Sequence, residues 1–309
     1  MVRQDKLRHL PDRFPLACQW ELTCRCNLHC VMCYTDCFNR PERIREELVT
    51  SEILRIMDEL AEAGTLELCL TGGEPLARQD FFTLYDHAVR LGFLVTVFTN
   101  GTLIREDEAD HFARLPPQRI EISLHASTPH GFDRVTQCQG SHRRCCQAIE
   151  LLRARRIPLV LKTTALTLNR DDILAIKSSV DRWEDARFQL GEDIRPELDG
   201  GAGPFRYALS RNELDALHAE DPALHAEACA RSGLDTSPCR SGLHRFHIDA
   251  VGRLQLCSGN RRNSYDLRSG SFQKGFFEAL PSFACQWKRP QEPEYLRPSG
   301  THPDTVTHA

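Results

Sequence analysis

The sequence predicts an α/β fold: a partial (β/α)6 barrel of the TIM type followed by a small C-terminal extension. Three observations carry this prediction. From residue 17 to about residue 190, short apolar runs alternate six times with amphipathic stretches, as in βα units laid around a parallel sheet. That regularity stops at Gly191, where Gly, Pro and acidic residues take over as far as Pro204. Six units are too few for a complete eight-unit barrel. The sheet should therefore stay open, with its reaction face at the C-terminal strand ends, where the βα loops converge.

The strand candidates are Ala17–Leu22, Leu66–Leu70, Leu94–Phe98, Ile120–Leu124, Leu159–Thr164 and Arg187–Leu190. Between them, Ser51–Ala63 repeats Ile53, Leu54, Met57, Leu60 and Ala61 at helical spacing behind Ser51, a candidate N-cap. Similar patterns fill Asp80–Leu91, Glu106–Leu115, His142–Arg155 and Arg170–Arg182. The chain divides into an N-terminal segment (1–16), the barrel (17–190), a connecting loop and helix (191–236), an extension (237–285) and a tail (286–309). The tail holds four prolines and almost no apolar periodicity, so disorder is expected there. Ser210–Ala230 has helical composition interrupted at Pro222, and Phe246–Asp249 and Leu254–Leu256 read as strands around a turn at Gly252.

Hydrophobic residues make up 41% and charged residues 27% of the 309, the balance of a soluble globular protein. A net charge of −4 gives no electrostatic case for a nucleic-acid partner. No apolar run reaches membrane length and Met1–Leu10 is too polar for a signal peptide, so a cytoplasmic protein without a membrane partner is expected. In that reducing compartment, fourteen cysteines argue for metal or redox chemistry over disulfides. Five of them, Cys24, Cys26, Cys30, Cys33 and Cys37, fall within fourteen residues. Cys18, Cys69, Cys138, Cys145, Cys146 and Cys229 show no recognisable spacing and read as small hydrophobes.

The loop after the first strand runs Cys26-Asn27-Leu28-His29-Cys30-Val31-Met32-Cys33-Tyr34. Chance would give such a pair of cysteine gaps about 0.03 times in a chain of this composition. A zinc knuckle on Cys30 and Cys33 would need a second ligand pair that the loop does not supply. Fe–S clusters normally take four thiolates, so three leave one iron open to another ligand. The second candidate strand ends in Thr71-Gly72-Gly73-Glu74-Pro75, where glycines let a ligand approach the backbone and a carboxylate can accept from an ammonium group. Thr99-Asn100-Gly101 and Ser123-Leu124-His125 end the next two strands.

The cysteine spacing, with an aromatic residue directly behind it, resembles the radical S-adenosylmethionine (SAM) superfamily. That resemblance implies a 4Fe-4S cluster on Cys26, Cys30 and Cys33 whose open iron binds the amino and carboxylate groups of SAM. It further implies Tyr34, Gly72, Gly73, Glu74 and Pro75 around SAM, with Glu74 at the methionine amino group and Asn100 and Ser123 as candidates for its ribose or carboxylate. The implied chemistry is reductive cleavage of SAM to a 5′-deoxyadenosyl radical that takes a hydrogen atom from the substrate, with flavodoxin or ferredoxin as electron donor.

Cys239 is followed by Gly252 and Cys257 in a spacing that resembles the SPASM and twitch extensions of peptide-modifying members, and Tyr265–Phe272 resembles the stretch that follows. This implies an auxiliary 4Fe-4S cluster on Cys239, Cys257 and Cys285. The chain departs from the fuller SPASM pattern, because only Cys285 follows; a truncated extension in which Cys285 is no ligand stays open. The leading functional expectation is maturation of a ribosomally made peptide. No separate peptide-recognition domain is evident, which implies a partner protein or favours the rival, oxidation or epimerisation of a small metabolite such as a sugar or aminocyclitol. A non-catalytic Fe–S or zinc protein is the third reading, and the intact Gly72-Gly73-Glu74 segment speaks against it.

Overall fold

Short runs that alternate apolar with polar side chains form the six expected strands: β1 (Ala17–Glu21), β2 (Glu67–Thr71), β3 (Leu94–Thr99), β4 (Arg119–Ser123), β5 (Leu159–Thr164) and β6 (Ala186–Gly191). In this computed structural model residues 12–227 and 241–284 are described. All six strands pair in parallel with their neighbours in sequence. Six parallel strands with helices between them, closed by no seventh or eighth βα unit among the described residues, are the expected open α/β partial barrel.

The extension does not form a layer of its own. Its hairpin continues the sheet: β7 (Arg245–Ile248) pairs in parallel with β1, β8 (Arg253–Gln255) returns antiparallel, and β9 (Tyr265–Asp266) follows. The order is β6-β5-β4-β3-β2-β1-β7-β8-β9. The hairpin thereby covers the β1 edge that an open barrel would expose.

The helices are α1 (Pro41–Ile44), α2 (Thr50–Glu62), α3 (Phe81–Arg90), α4 (Glu106–Arg114), α5 (Pro129–Thr136), α6 (Ser141–Ala154), α7 (Ile173–Val180) and α8 (Arg211–Glu220). Strand alternation sorts the residues by face. Trp20, Leu68, Leu70, Val97, Ile120 and Leu161 are fully buried in one core with Ile53, Met57, Leu84, Phe112 and Leu152 of the helices. The opposite, inner face carries Gln19, Thr96, Arg119 and His247, polar side chains that a dry core would reject unless partnered, with Cys69 among them.

Two local expectations need correction. Ser51 is not the cap of α2; the helix starts one residue earlier, and the Glu52 carboxylate reaches back 2.8 Å to accept from the Val49 N–H. Sequence periodicity also passed over α5, whose eight residues behind the Thr128 cap, with Pro129 in the first turn, are too few for a clear pattern. Ser210, which composition alone did not mark as a cap, begins α8 by accepting from the Glu213 N–H at 3.3 Å. Among the unspaced cysteines, Cys18 and Cys145 are buried as expected, whereas Cys69, Cys138 and Cys146 are half-buried and Cys229 lies outside the described residues.

Candidate functional site

The cysteine loop leaves β1 through a root that is clamped before the first ligand cysteine. The buried Glu47 carboxylate accepts from Thr23 Oγ1 at 2.8 Å and from the Cys24 N–H at 2.7 Å. It stands 3.7 Å from Arg78, which in turn donates to the Leu22 and Leu48 carbonyls and pairs with Asp80. Asn39 then holds Cys26 by both backbone groups, its Oδ1 accepting from the Cys26 N–H at 3.2 Å and its Nδ2 donating to the Cys26 carbonyl at 3.0 Å. Further along, the His29 and Val31 N–H groups donate to Thr136 and Val135 at the end of α5.

This scaffold gathers the three expected cysteines. The Cys30 thiol is pushed well up by burial and then by the nearness of Cys33 and Cys26, and burial carries Cys26 up to about 12. Cys24 instead lies beside Glu47 and Glu21, and the Cys37 thiol donates to the Tyr34 carbonyl at 3.7 Å. The three thiols are free, Cys30 feels the charge of both Cys33 and Cys26, and the backbone that carries them is braced, which fits a cluster. Among the described residues no three His, Cys, Asp or Glu side chains gather to hold a single ion. A cluster binds each thiolate through a different iron and needs no such convergence.

Gly72-Gly73-Glu74 runs alongside the root of the loop. The Gly73 and Glu74 N–H groups donate to the Thr23 and Arg25 carbonyls at 2.8 and 2.7 Å. A Cβ on Gly73 would lie 2.3 Å from the Arg25 carbonyl oxygen, and one on Gly72 2.5 Å from that of Thr23, so only glycine fits. Glu74 is fully buried, and its carboxylate accepts from Thr99 Oγ1 (2.8 Å), the Asn100 N–H (2.7 Å) and the Leu76 N–H (3.1 Å). Its charge is thus directed at the end of β3. Asn100 passes this order back to the loop, its Nδ2 donating to Asn27 Oδ1 at 3.0 Å and lying 3.9 Å from Cys26 Sγ. Pro75 is buried at the start of the turn behind Glu74. Ser123 stands at the tip of β4, where its carbonyl accepts from the Cys145 thiol; no bond ties it to the cysteine loop.

The connecting segment packs over the loop. Leu198 N–H donates to the Tyr34 carbonyl at 2.9 Å, Arg195 lies 5.7 Å from the Tyr34 ring, and Asp199 is 3.5 Å from Arg40. Arg195 also donates to Ser258 at 3.1 Å, which joins this segment to the extension hairpin. Burial raises the Tyr34 phenol to about 12. Of the extension's cysteines, Cys257 is half-buried beside β8, while Cys239 and Cys285 lie outside the described residues.

Sequence reading missed the charges at the top of the inner face. Arg261 clamps the buried Glu21 carboxylate with two guanidinium nitrogens, and His247 Nε2 stands 3.7 Å from the same carboxylate. Burial alone would raise Glu21; its two basic neighbours overcome that and hold it far below the usual carboxylate range. Glu47 and Asn39 were missed too. Nothing local marks them, since their partners are 13 to 31 residues away.

Residues 20–179 match the family model described as the Radical SAM superfamily. A PqqA peptide cyclase of Gluconobacter oxydans is 31% identical over 257 residues, 79% of this chain and 70% of that protein. An AdoMet-dependent heme synthase of Methanosarcina barkeri is 32% identical over 159 residues, 52% of this chain and 45% of that protein. With several curated relatives the match spans about half of their length. Streptococcus suis SuiB bound to S-adenosylmethionine superposes with a TM-score of 0.69 over 87% of this chain and 67% of its own, at 14% identity. Native anSMEcpe with bound AdoMet gives 0.64 over 85% and 80%, also at 14%. At such identity these two structures speak for the fold alone. The family match covers more than half of the residues and includes the cysteine loop and the Gly-Gly-Glu segment, so the chain belongs to the radical SAM superfamily.

Proposed function

We propose that this protein is a radical SAM enzyme that modifies a peptide. One observation carries the reading: the 31% identity to a PqqA peptide cyclase covers 79% of this chain, more than the barrel at 17–190 contains, and so reaches into the connecting segment or the extension. The solved structures of similar fold include SuiB bound to its precursor peptide SuiA and anSMEcpe bound to the Cp18Cys peptide, which fits this reading. The heme synthase match supports a non-peptide substrate, but it spans only 52% of the chain.

Cys26, Cys30 and Cys33 would hold the 4Fe-4S cluster. With SAM bound, that cluster supplies one-electron cleavage to methionine and a 5′-deoxyadenosyl radical able to take a hydrogen atom from the substrate. The remaining work falls to the chain. Gly72 and Gly73 keep the backbone close to the loop, Glu74 fixes Asn100, and Asn100 with Asn27 orders the approach to Cys26. Tyr34 and the 192–204 segment pack against one another over the end of the loop, Leu198 donating to the Tyr34 carbonyl and Arg195 lying near its ring. Ser123 remains a candidate SAM contact. Cys239, Cys257 and Cys285 are proposed for an auxiliary cluster, flavodoxin or ferredoxin as electron donor, and a separate protein for presenting the peptide. Among the described residues no helix is long and apolar enough to cross a membrane; a cytoplasmic setting is part of the proposal.

Anaerobic turnover with candidate precursor peptides, read by mass spectrometry together with 5′-deoxyadenosine release, tests the assignment. A mass change on peptide that depends on SAM and reductant is expected. Turnover of small metabolites with every peptide unchanged would overturn the peptide reading.

A further inference from the structure

Two arginines meet at Ser258 beside the reaction face, and only one of them is saturated. Arg261 donates from Nε to the Ser258 carbonyl at 3.0 Å and from both terminal nitrogens to the Glu21 carboxylate. Arg195 reaches the same residue from the connecting segment, its Nη1 donating to Ser258 Oγ at 3.1 Å. Its side chain makes no other hydrogen bond among the described residues, and its remaining contact is the Tyr34 ring, 5.7 Å away. A guanidinium is a planar fork of N–H donors, so most of this fork is left over. No carboxylate among the described residues takes it up: Glu192 is held 2.9 Å from His218, Asp199 lies 3.5 Å from Arg40, and Glu21 is clamped by Arg261. Arg195 is also half-buried, so it has already given up part of its hydration without a counter-charge in return.

The fork stands next to the chemistry. Tyr34 directly follows Cys33, and its phenol feels the charges of Glu21, Arg261 and Arg195 together. Glu21 ends β1 on the inner face and acts on Cys24 as well, so the top of that face adjoins the cysteine loop. The rest of the inner face carries the same sign as Arg195. Arg119 and Lys162 share the single carboxylate of Glu121. By register Arg187 and Arg245 stand on that face too, without an ion pair among the described residues, and Glu67 is the unpaired carboxylate set against them. A chain of net charge −4 thus keeps a cationic excess along the face that leads to its cysteine loop, the arrangement that draws in an anion.

We propose that Arg195 is a substrate-binding residue that pairs with a carboxylate of the substrate, from an acidic side chain or a chain terminus, beside Ser258 and Tyr34. The proposal rests on the peptide-modifying reading for which molecule carries the carboxylate, but not for the existence of the site. A carboxylate matches the free edge of the fork with two parallel hydrogen bonds and supplies the missing counter-charge. A neutral amide in the same place supplies neither, so the site selects against it. Arg261 cannot take this task, because its fork is full and releasing Glu21 would strip a buried carboxylate of its main partner.

The test uses the cluster-loaded full chain with SAM bound and three probes: N-acetylglutamate methylamide with a side-chain carboxylate, N-acetylglutamine with a terminal one, and N-acetylglutamine methylamide with none. Binding is followed calorimetrically in the parent, in Arg195→Gln and in Arg195→Lys. The parent is expected to bind a carboxylate probe on the order of tenfold more tightly than the neutral one, the size of a charge-assisted hydrogen bond, and the probe that leads identifies the source. Arg195→Gln should abolish that preference while neutral-probe affinity and iron content stay at parent values. Arg195→Lys should keep part of it, since the charge survives and the fork does not. Added salt should weaken the preference in the parent. An arginine that only fastens the segment would weaken all three probes alike in Arg195→Gln, and one that holds the carboxylate of SAM would lower SAM affinity with no probe preference in the parent; either result overturns the site. So does the absence of carboxylate-probe binding at millimolar concentration, or a preference that persists in Arg195→Gln. If the preference depends on Arg195 and no peptide is modified, the site stands and the peptide reading falls. If Arg195→Gln modifies a carboxylate-bearing peptide with the parent's KM, the reading stands and the site falls.

Discussion

The two sides of β1 are finished in different ways. On the β2 and β3 side, the charged and amide groups that root the cysteine loop have partners: Glu47 with Thr23, Cys24 and Arg78, Asn39 with Cys26, Glu74 with Thr99 and Asn100. On the β7 and β8 side the polar groups pair with one another instead: Arg261 clamps Glu21, His247 stands 3.7 Å from the same carboxylate, and Gln255 donates to Asp249. The loop must hold its geometry whatever arrives, so its polar groups are satisfied from within.

The largest effect should come from removing the loop's thiols. The Cys26, Cys30 and Cys33 triple Ala variant is expected to lose about four irons per chain and all reductive SAM cleavage. Iron analysis and 5′-deoxyadenosine assay check this, and a full iron load in the variant would overturn the cluster assignment.

Gly73→Ala comes next. Its Cβ would meet the Arg25 and Cys24 carbonyl oxygens at 2.3 and 2.8 Å, and backbone cannot swing away as a side-chain tip can. The loop root must shift, so SAM affinity should drop at least tenfold while circular dichroism stays that of the parent. Parent-like SAM affinity would show that the segment tolerates movement and that the bracing is not needed for binding.

How much of this was legible in the sequence depended on range. The six strands and the Gly-Gly-Glu turn announce themselves because alternation and glycine act within a few residues. Cys26, Cys30 and Cys33 do so because spacing within one loop is itself the signal. Glu47, Asn39 and the Glu21–Arg261 clamp did not: Glu21 and Arg261 are 240 positions apart, and only the pairing of β7 with β1 brings them together. His247 sits in a strand pattern that predicts burial but gives no hint that it faces the Glu21 carboxylate. The Glu74 position was legible and the direction of its carboxylate was not, since Thr99 and Asn100 reach it across a strand pair.

Glu47→Ala probes the braced side by stability. It leaves Arg78, whose side chain is 8% exposed, with Asp80 as its remaining ion partner, and it removes the acceptor for Thr23 and Cys24. A loss of about 3 kcal/mol is expected in urea denaturation, the scale found when one partner of a buried pair is deleted. A change under about 0.5 kcal/mol would mean that Asp80 and the Leu22 and Leu48 carbonyls suffice for Arg78, and the contrast between the two sides would weaken.

The smallest effect, and the most specific, is a pH dependence at Glu74. Burial raises its carboxyl from 4.5 to about 7 against the opposing pull of the Asn100, Thr99 and Leu76 donors. A carboxyl raised by folding stabilises the native state fully below its unfolded value near 4.5, and that contribution fades as pH climbs through about 7. The parent should therefore lose on the order of 2 to 3 kcal/mol between about pH 5 and pH 8 from this group. Glu74→Gln removes the titration. It also turns one amide N–H toward the donors at Asn100, Thr99 or Leu76, so it should be less stable throughout, yet its stability should vary less over the same window. Urea midpoints for both proteins at several pH values decide the matter, and parallel curves would mean that Glu74 stays ionised across the window, held by its three donors despite burial.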